Sequence, residues 1–246
     1  MTIVLFILLG LIASSYGVII GAGGGFIFVP LLLLFYDITP AEAAGTGLLI
    51  VLISSLSGVF SYIKQKRVNY KIGLLLAIGA IPGTFLGNTL ISFVPEATFY
   101  KIFALMLLGL GFFLIFRAPS NQVNSAVSDQ KQKFVLPLIG IGIGTISSFF
   151  GIGGGFIVVP ILVYLLGLRI HIATATSVFA LIIYSSIGSI TPLVKGNVDW
   201  IVLAWSGIGV LMGSQLGAFV SKKLDAGVVT KMLASVVILM GVLLIW

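Results

Sequence analysis

Long apolar stretches separated by short polar breaks dominate this chain. Gly47 to Ile63, Ile72 to Val94, Ile102 to Phe116, Ile172 to Val194 and Trp200 to Val220 each approach the length of a membrane-crossing helix. At about 1.5 Å per residue, about 17–25 apolar residues cover roughly 30 Å of hydrocarbon. Ile102 to Phe116 and the last run, Met232 to Trp246, fall short and call for polar flanks or a thin bilayer. The opening run, Thr2 to Ile20, lacks a basic leader and is followed by Gly21 to Pro30 rather than a small-residue cleavage site, so it reads as the first mature helix.

Composition points the same way. Hydrophobic residues make up 59% of the 246 positions and charged residues only 8%, whereas soluble domains carry about 45–50% and about 25%. The net charge of +7 could suit nucleic acid, but the basic residues lie in short loops between apolar runs and form no patch or stripe. Lipid is therefore the expected partner, and nucleic acid is not. With no Cys there is no disulfide, thiolate metal site or thiol nucleophile.

Self-comparison reveals a duplication. Gly21 to Phe116 aligns onto Gly151 to Trp246 without a gap. Gly21-Ala-Gly-Gly-Gly-Phe26 with Pro30 meets Gly151-Ile-Gly-Gly-Gly-Phe156 with Pro160. Thr46 meets Thr176, Ser55 meets Ser185, and Gly83 and Gly87 meet Gly213 and Gly217. The chain thus divides into a first repeat over 1–117, a solvated cytoplasmic linker over 118–133 and a second repeat over 134–246, all within one transport domain.

Charge placement sets the expected topology, because Lys and Arg in short loops favour the cytoplasm. If each leading segment enters and leaves on one side and three crossings follow, the second copy is inverted. The cytoplasm then receives Lys64, Lys66, Arg67, Lys71, Arg117, Lys131, Lys133, Arg169, Lys222, Lys223 and Lys231, leaving only Lys101 and Lys195 outside. A parallel arrangement would scatter them more evenly. The expectation is an all-α polytopic protein of the plasma (inner) membrane. It has two inverted-topology repeats, each a Gly-broken helical hairpin, re-entrant or full, followed by three transmembrane helices, with both termini extracytoplasmic.

The glycine triplets should break the leading helices, since each glycine costs about 1 kcal/mol relative to Ala in a helix and permits positive φ. Phe26 to Tyr36 and Phe156 to Gly167 would then be helices of only about 16–18 Å, roughly half a membrane. Broken backbone at membrane depth is tolerated only where protein or a watery cavity satisfies it. Free N–H groups at a helix N-terminus there attract anions. This makes Gly23, Gly24, Gly25 and Phe26, with Gly153, Gly154, Gly155 and Phe156, the leading candidates for substrate binding. Packing is the competing explanation, but close packing seldom needs three adjacent glycines twice. A P-loop would need Gly-Lys-Ser/Thr, and a dinucleotide fingerprint would need a glycine where Phe26 and Phe156 stand. No cofactor or metal is expected.

With these motifs in place, the chain resembles the TauE/SafE sulfite exporter family over nearly its whole length. The resemblance rests on Gly21 to Pro30, Gly151 to Pro160 and the small-residue helices around Gly83 to Gly87 and Gly213 to Gly217. It implies a small sulfur-containing or other organic anion as substrate.

Other polar residues within the runs leave paired readings. Thr46 and Thr176 could complete an oxyanion site or bond helix carbonyls. Gln215 could donate to an anion or bridge helices. Phe26 and Phe156 could gate the cavity or fill space. Glu42 and His171, both at the entrance of the threonine-bearing span, are candidates for proton coupling or for solvated caps. Without an ATP motif, a secondary transporter exporting a small anion is the first reading and a passive anion channel the second. An intramembrane enzyme would need a nucleophile with a base or a metal cluster, for which the spans hold no set of residues.

Overall fold

A computed structural model of the chain describes residues 2–116 and 129–244. Among them the secondary structure is helical throughout, without a strand. The first copy supplies α1 (Thr2–Ile19), α2 (Gly25–Phe35), α3 (Pro40–Lys64), α4 (Tyr70–Leu90) and α5 (Glu96–Phe116). The second supplies α6 (Asp129–Phe150), α7 (Gly155–Tyr164), α8 (Ile170–Gly188), α9 (Ile190–Lys195), α10 (Trp200–Val220) and α11 (Ala226–Leu243). Among the described residues, seven segments are long and apolar enough to cross a membrane.

The polar breaks between runs carry helix caps. Thr39 and Glu42 form a reciprocal capping box at the start of α3, with Pro40 in the first turn. Asn69 accepts from the Ile72 amide to open α4, and Asp199 accepts from Ile201 and Val202 to open α10. The short run at Ile102 gains its missing length because α5 starts at Glu96. The segment read as linker, 118–133, is helical from Asp129 onward, where Lys131 and Lys133 on the first turns of α6 are exposed; 118–128 lies outside the described residues. Lysines there can lay their methylenes along an apolar helix and hold the charge in water.

Burial sorts the helices into centre and rim. In α3, 78% of the apolar window is buried inside the protein, against 33% in α5 and in α11. The last two pack on each other at the periphery, Gly111 on Ile238 and Gly241 on Leu108, and expose Leu105, Phe112, Ile115 and Leu239. A large apolar side chain left exposed on such a rim is at home in lipid.

Each leading helix packs mainly on the other copy. Gly209, Gly213 and Gly217 of α10 abut the backbone of Ile7, Leu11 and Ser15 in α1, while Gly79, Gly83 and Gly87 of α4 abut Pro137, Ile141 and Thr145 in α6. A methyl on Gly83 would stand 2.1 Å from the Ile141 carbonyl oxygen and one on Gly213 would stand 2.2 Å from that of Leu11. Side-chain bonds add to these small-residue seams: Ser15 Oγ donates to the Gly213 carbonyl at 3.0 Å.

The order of these contacts fixes helix direction. Ascending residues of α3 meet ascending residues of α10, Ser57 with Leu211, Ser61 with Gln215 and Gln65 with Ala218, so the two run together. Likewise α4 runs with α8, Gly73 near Phe179 and Thr84 near Gly188. Gly45, early in α3, touches Pro192 in α9, so α3 and the α8–α9 pair run oppositely.

The run Ile172 to Val194 is not one helix, because α8 stops at Gly188 and α9 begins at Ile190. Pro192 has no N–H to offer the carbonyl four residues back. Asn88 of α4 donates to that Gly188 carbonyl instead, at 2.7 Å.

Candidate functional site at the paired glycine turns

Each leading helix turns back on itself at its glycines. Gly21, Gly23 and Gly24 have φ of 81°, 72° and 86°, and Gly151, Gly153 and Gly154 have 71°, 78° and 69°. These left-handed conformations are ones that a side chain resists. Ala22 and Gly23 donate to the Gly17 carbonyl to close the first turn, and Gly24 and Gly154 then cap α2 and α7. The chain returns toward its starting end, where the ring of Tyr36 meets Phe6 edge-on at 5.4 Å between centroids. Asp199, at the head of α10, belongs to the same end. Its negative charge, chiefly, raises the Tyr36 phenol above its ordinary value, with burial and a hydrogen bond adding to it.

The two turns meet at the centre of the molecule. A methyl on Gly155 would stand 2.2 Å from the Gly21 carbonyl oxygen, and one on Gly25 would stand 3.1 Å from that of Gly151. Gly23 and Gly153 both rest on Val51, midway along α3, and on Leu181 of α8. Phe26 and Phe156 stack face to face, 6.2 Å apart at 22°. All four of these large side chains are fully buried, so the centre is closed in this conformation.

Neighbouring hydroxyls hold the turns in place. Ser177 donates to the Gly21 carbonyl at 2.7 Å, and Tyr184 donates to that of Gly153. Ser54 and Ser55 are fully buried with no hydrogen-bond partner, and Ser55 Oγ would lie 3.2 Å from a methyl on Gly23. As openers of α2 and α7, the amides of Gly25, Phe26, Gly155 and Phe156 have no acceptor within their own helix. The site therefore combines two helix N-termini, unpaired hydroxyls and no acidic group at the turns. Among the described residues no cluster of His, Asp or Glu could hold a metal ion.

The remaining candidates lie elsewhere. Thr46 Oγ1 accepts from the Asp199 amide at 2.9 Å and Thr176 Oγ1 from the Asn69 amide at 3.0 Å, each tying a span to the other copy's loop. Gln215 donates to the Ser57 carbonyl at 2.6 Å and accepts from Ser61, within the α3–α10 seam. Glu42 accepts from the Thr39 amide and hydroxyl in its capping box. His171 stands at the opposite end of the molecule from Glu42, and the two are not brought together. Val51, Leu181, Ser177 and Tyr184 were not singled out from the sequence, since one such residue in an apolar run gives no local signal.

Fold and site together define a polytopic helical membrane protein built around two facing broken hairpins. Residues 6–244 match the family described as "Sulfite exporter TauE/SafE", and the chain belongs to that family of membrane transporters. It is 32% identical to the "Probable membrane transporter protein YunE" of Bacillus subtilis over 100% of this chain and 98% of that protein. YdhB of the same organism, also titled a probable membrane transporter protein, is 31% identical over 90% and 88%. A further such protein, from Methanocaldococcus jannaschii, is 27% identical over 98% and 94%. No solved structure matches the chain.

Proposed function

We propose that this protein is a secondary transporter that exports a small anion, sulfite or an organosulfonate, by alternating access around the paired glycine turns. The observation that carries this reading is the meeting of two half-helix N-termini, one from each copy, at the middle of the protein. Such termini favour negative charge, and paired discontinuous helices at the repeat interface are how secondary transporters build a substrate site. The anion lies against Gly23–Phe26 and Gly153–Phe156, with the Ser55 hydroxyl free to donate. The family's description supplies the sulfur oxyanion.

Helix direction supports inverted repeats. The α3 helix runs with α10 but, across the short Gln65–Asn69 loop, against α4, the equivalent of α10. In that frame the end carrying Lys64 to Lys71, Arg169 and Lys222 to Lys231 is cytoplasmic, and both termini lie outside the plasma membrane. The stacked Phe26 and Phe156 form the closed gate. Rocking of one copy against the other parts them first toward one side, then the other, while Thr46, Thr176 and Gln215 keep the seams in register. A negative interior drives an anion outward by about 2.3 kcal/mol per charge per 100 mV, so export needs no coupling ion.

Purified protein in liposomes, assayed with sulfite, sulfate, thiosulfate and small sulfonates under an imposed voltage, tests the proposal. Saturable sulfite or sulfonate flux with counter-substrate exchange is expected. Large single-channel currents without saturation would make the protein a passive channel, and failure of every anion to move would remove the substrate reading.

A further inference from the structure

We propose that the basic end carries a second anion site, made by Arg67, His171, Gln65 and Ser221, that takes up a small oxyanion before it reaches the glycine turns. The inference rests on the anion-transport reading above and deepens it.

The four residues come from three elements at one end of the molecule: Gln65 and Arg67 from the end of α3 and its loop, His171 from the first turn of α8, and Ser221 from the end of α10. Gln65 Nε2 donates to the Ala218 carbonyl at 3.3 Å, which draws the end of α3 to that of α10. The Arg67 amide donates to the Tyr62 carbonyl at 3.2 Å, and the guanidinium acts electrostatically on both Tyr62 and His171. The cluster adjoins the first glycine turn. Tyr62 donates to the Val18 carbonyl at 2.6 Å, just before the break, and Thr174, one turn after His171, has its Cα 2.7 Å from where a methyl on Gly21 would stand.

Three polar atoms are buried at this end without a hydrogen-bond partner, Arg67 Nη1, His171 Nδ1 and Gln65 Oε1, and Ser221 Oγ has only the Tyr62 hydroxyl beside it, which is already given to the Val18 carbonyl. Ser221 is fully buried. Buried polar atoms are almost always satisfied, so several orphans at one end of the molecule call for an occupant. Guanidinium presents a rigid fork of donors that matches two oxygens of an oxyanion. Ser221 adds a donor, and Gln65 Oε1 accepts from an escorting water or from the hydroxyl of a protonated oxyanion. Asp225, exposed at the start of α11, is the carboxylate within range of His171.

The duplication provides an internal control. At the other end of the molecule the same joint is lined by Ala41, Ile91, Lys195 and Asn197, the counterparts of His171, Ser221, Gln65 and Arg67. Lys195 there bonds Ser92 Oγ at 3.3 Å. The fold thus closes this joint without a guanidinium or an imidazole, and their presence at the basic end is not a packing requirement.

Detergent-purified protein titrated with sulfite, read by its thermal unfolding midpoint, tests the site. The same variants are then reconstituted for flux. Sulfite should stabilise the wild type. Arg67→Asn, which installs the counterpart's residue, should raise the half-saturating concentration at least tenfold, with His171→Ala weaker in effect and Arg67→Lys in between. Lys222→Gln, an exposed charge on the same end, should match the wild type. In flux, Arg67→Asn should raise KM and leave maximal rate within about twofold. Stabilisation of the wild type that Arg67→Asn weakens, with no sulfite flux, would sink the transport reading and leave the site standing. Binding unaffected by both Arg67→Asn and His171→Ala, or a wild type that neither sulfite nor sulfate stabilises, overturns the site.

Discussion

The Tyr184 hydroxyl fastens the second glycine turn to α8, whereas its counterpart in the first copy, Ser54, is buried without a partner. Tyr184→Phe leaves the Gly153 carbonyl unpaired in a buried setting and should cost about 1–3 kcal/mol of stability, measured by unfolding in detergent. Ser54→Ala removes no bond and should cost less than about 1 kcal/mol by the same assay. Equal losses would show that the bond does not hold the turn. The sequence made the glycine triplets readable because nothing but a turn explains three of them twice. Tyr184 was not readable, since a lone tyrosine in an apolar run looks like filler. Thr46, Thr176 and Gln215 were visible as polar groups within spans, but their partners depend on helix rotation, which no local pattern encodes.

At the scale of elements, the break between α8 and α9 is a compensated defect: Pro192 frees the Gly188 carbonyl and Asn88 takes it. Asn88→Leu should therefore destabilise by about 1–3 kcal/mol. Combined with Pro192→Ala, which restores an N–H within the helix, the loss should shrink, giving a coupling of about 1 kcal/mol in a double-mutant cycle. Strict additivity would separate the two residues. The helices themselves followed the apolar runs closely, and the short run at Ile102 gained its length from Glu96 onward. The α8–α9 break was missed because the run stays apolar through Pro192, and only the identity of that residue marks it.

At the scale of the whole molecule, the duplication was legible in register and glycine placement, but the exchange of leading helices, α1 onto α10 and α6 onto α4, was not. That exchange ties each hairpin to the other copy, so relative motion of the copies must act on the turns. The chain has no Cys, so single cysteines report sidedness directly. Asp37→Cys and Lys195→Cys should react with a membrane-impermeant thiol reagent from one face, and Lys66→Cys and Lys222→Cys from the other. Lys66→Cys and Lys222→Cys labelling from opposite faces would make each leading hairpin a single crossing and the repeats parallel. The central claim is that the anion passes between the paired turns, and voltage-driven sulfite flux in liposomes carrying wild type, Gly24→Leu or Gly154→Leu tests it most directly. Saturable flux is expected in the wild type and a loss of at least tenfold in either variant, with all three proteins recovered intact in the membrane; wild-type flux in both variants would mean that the anion does not pass between the turns.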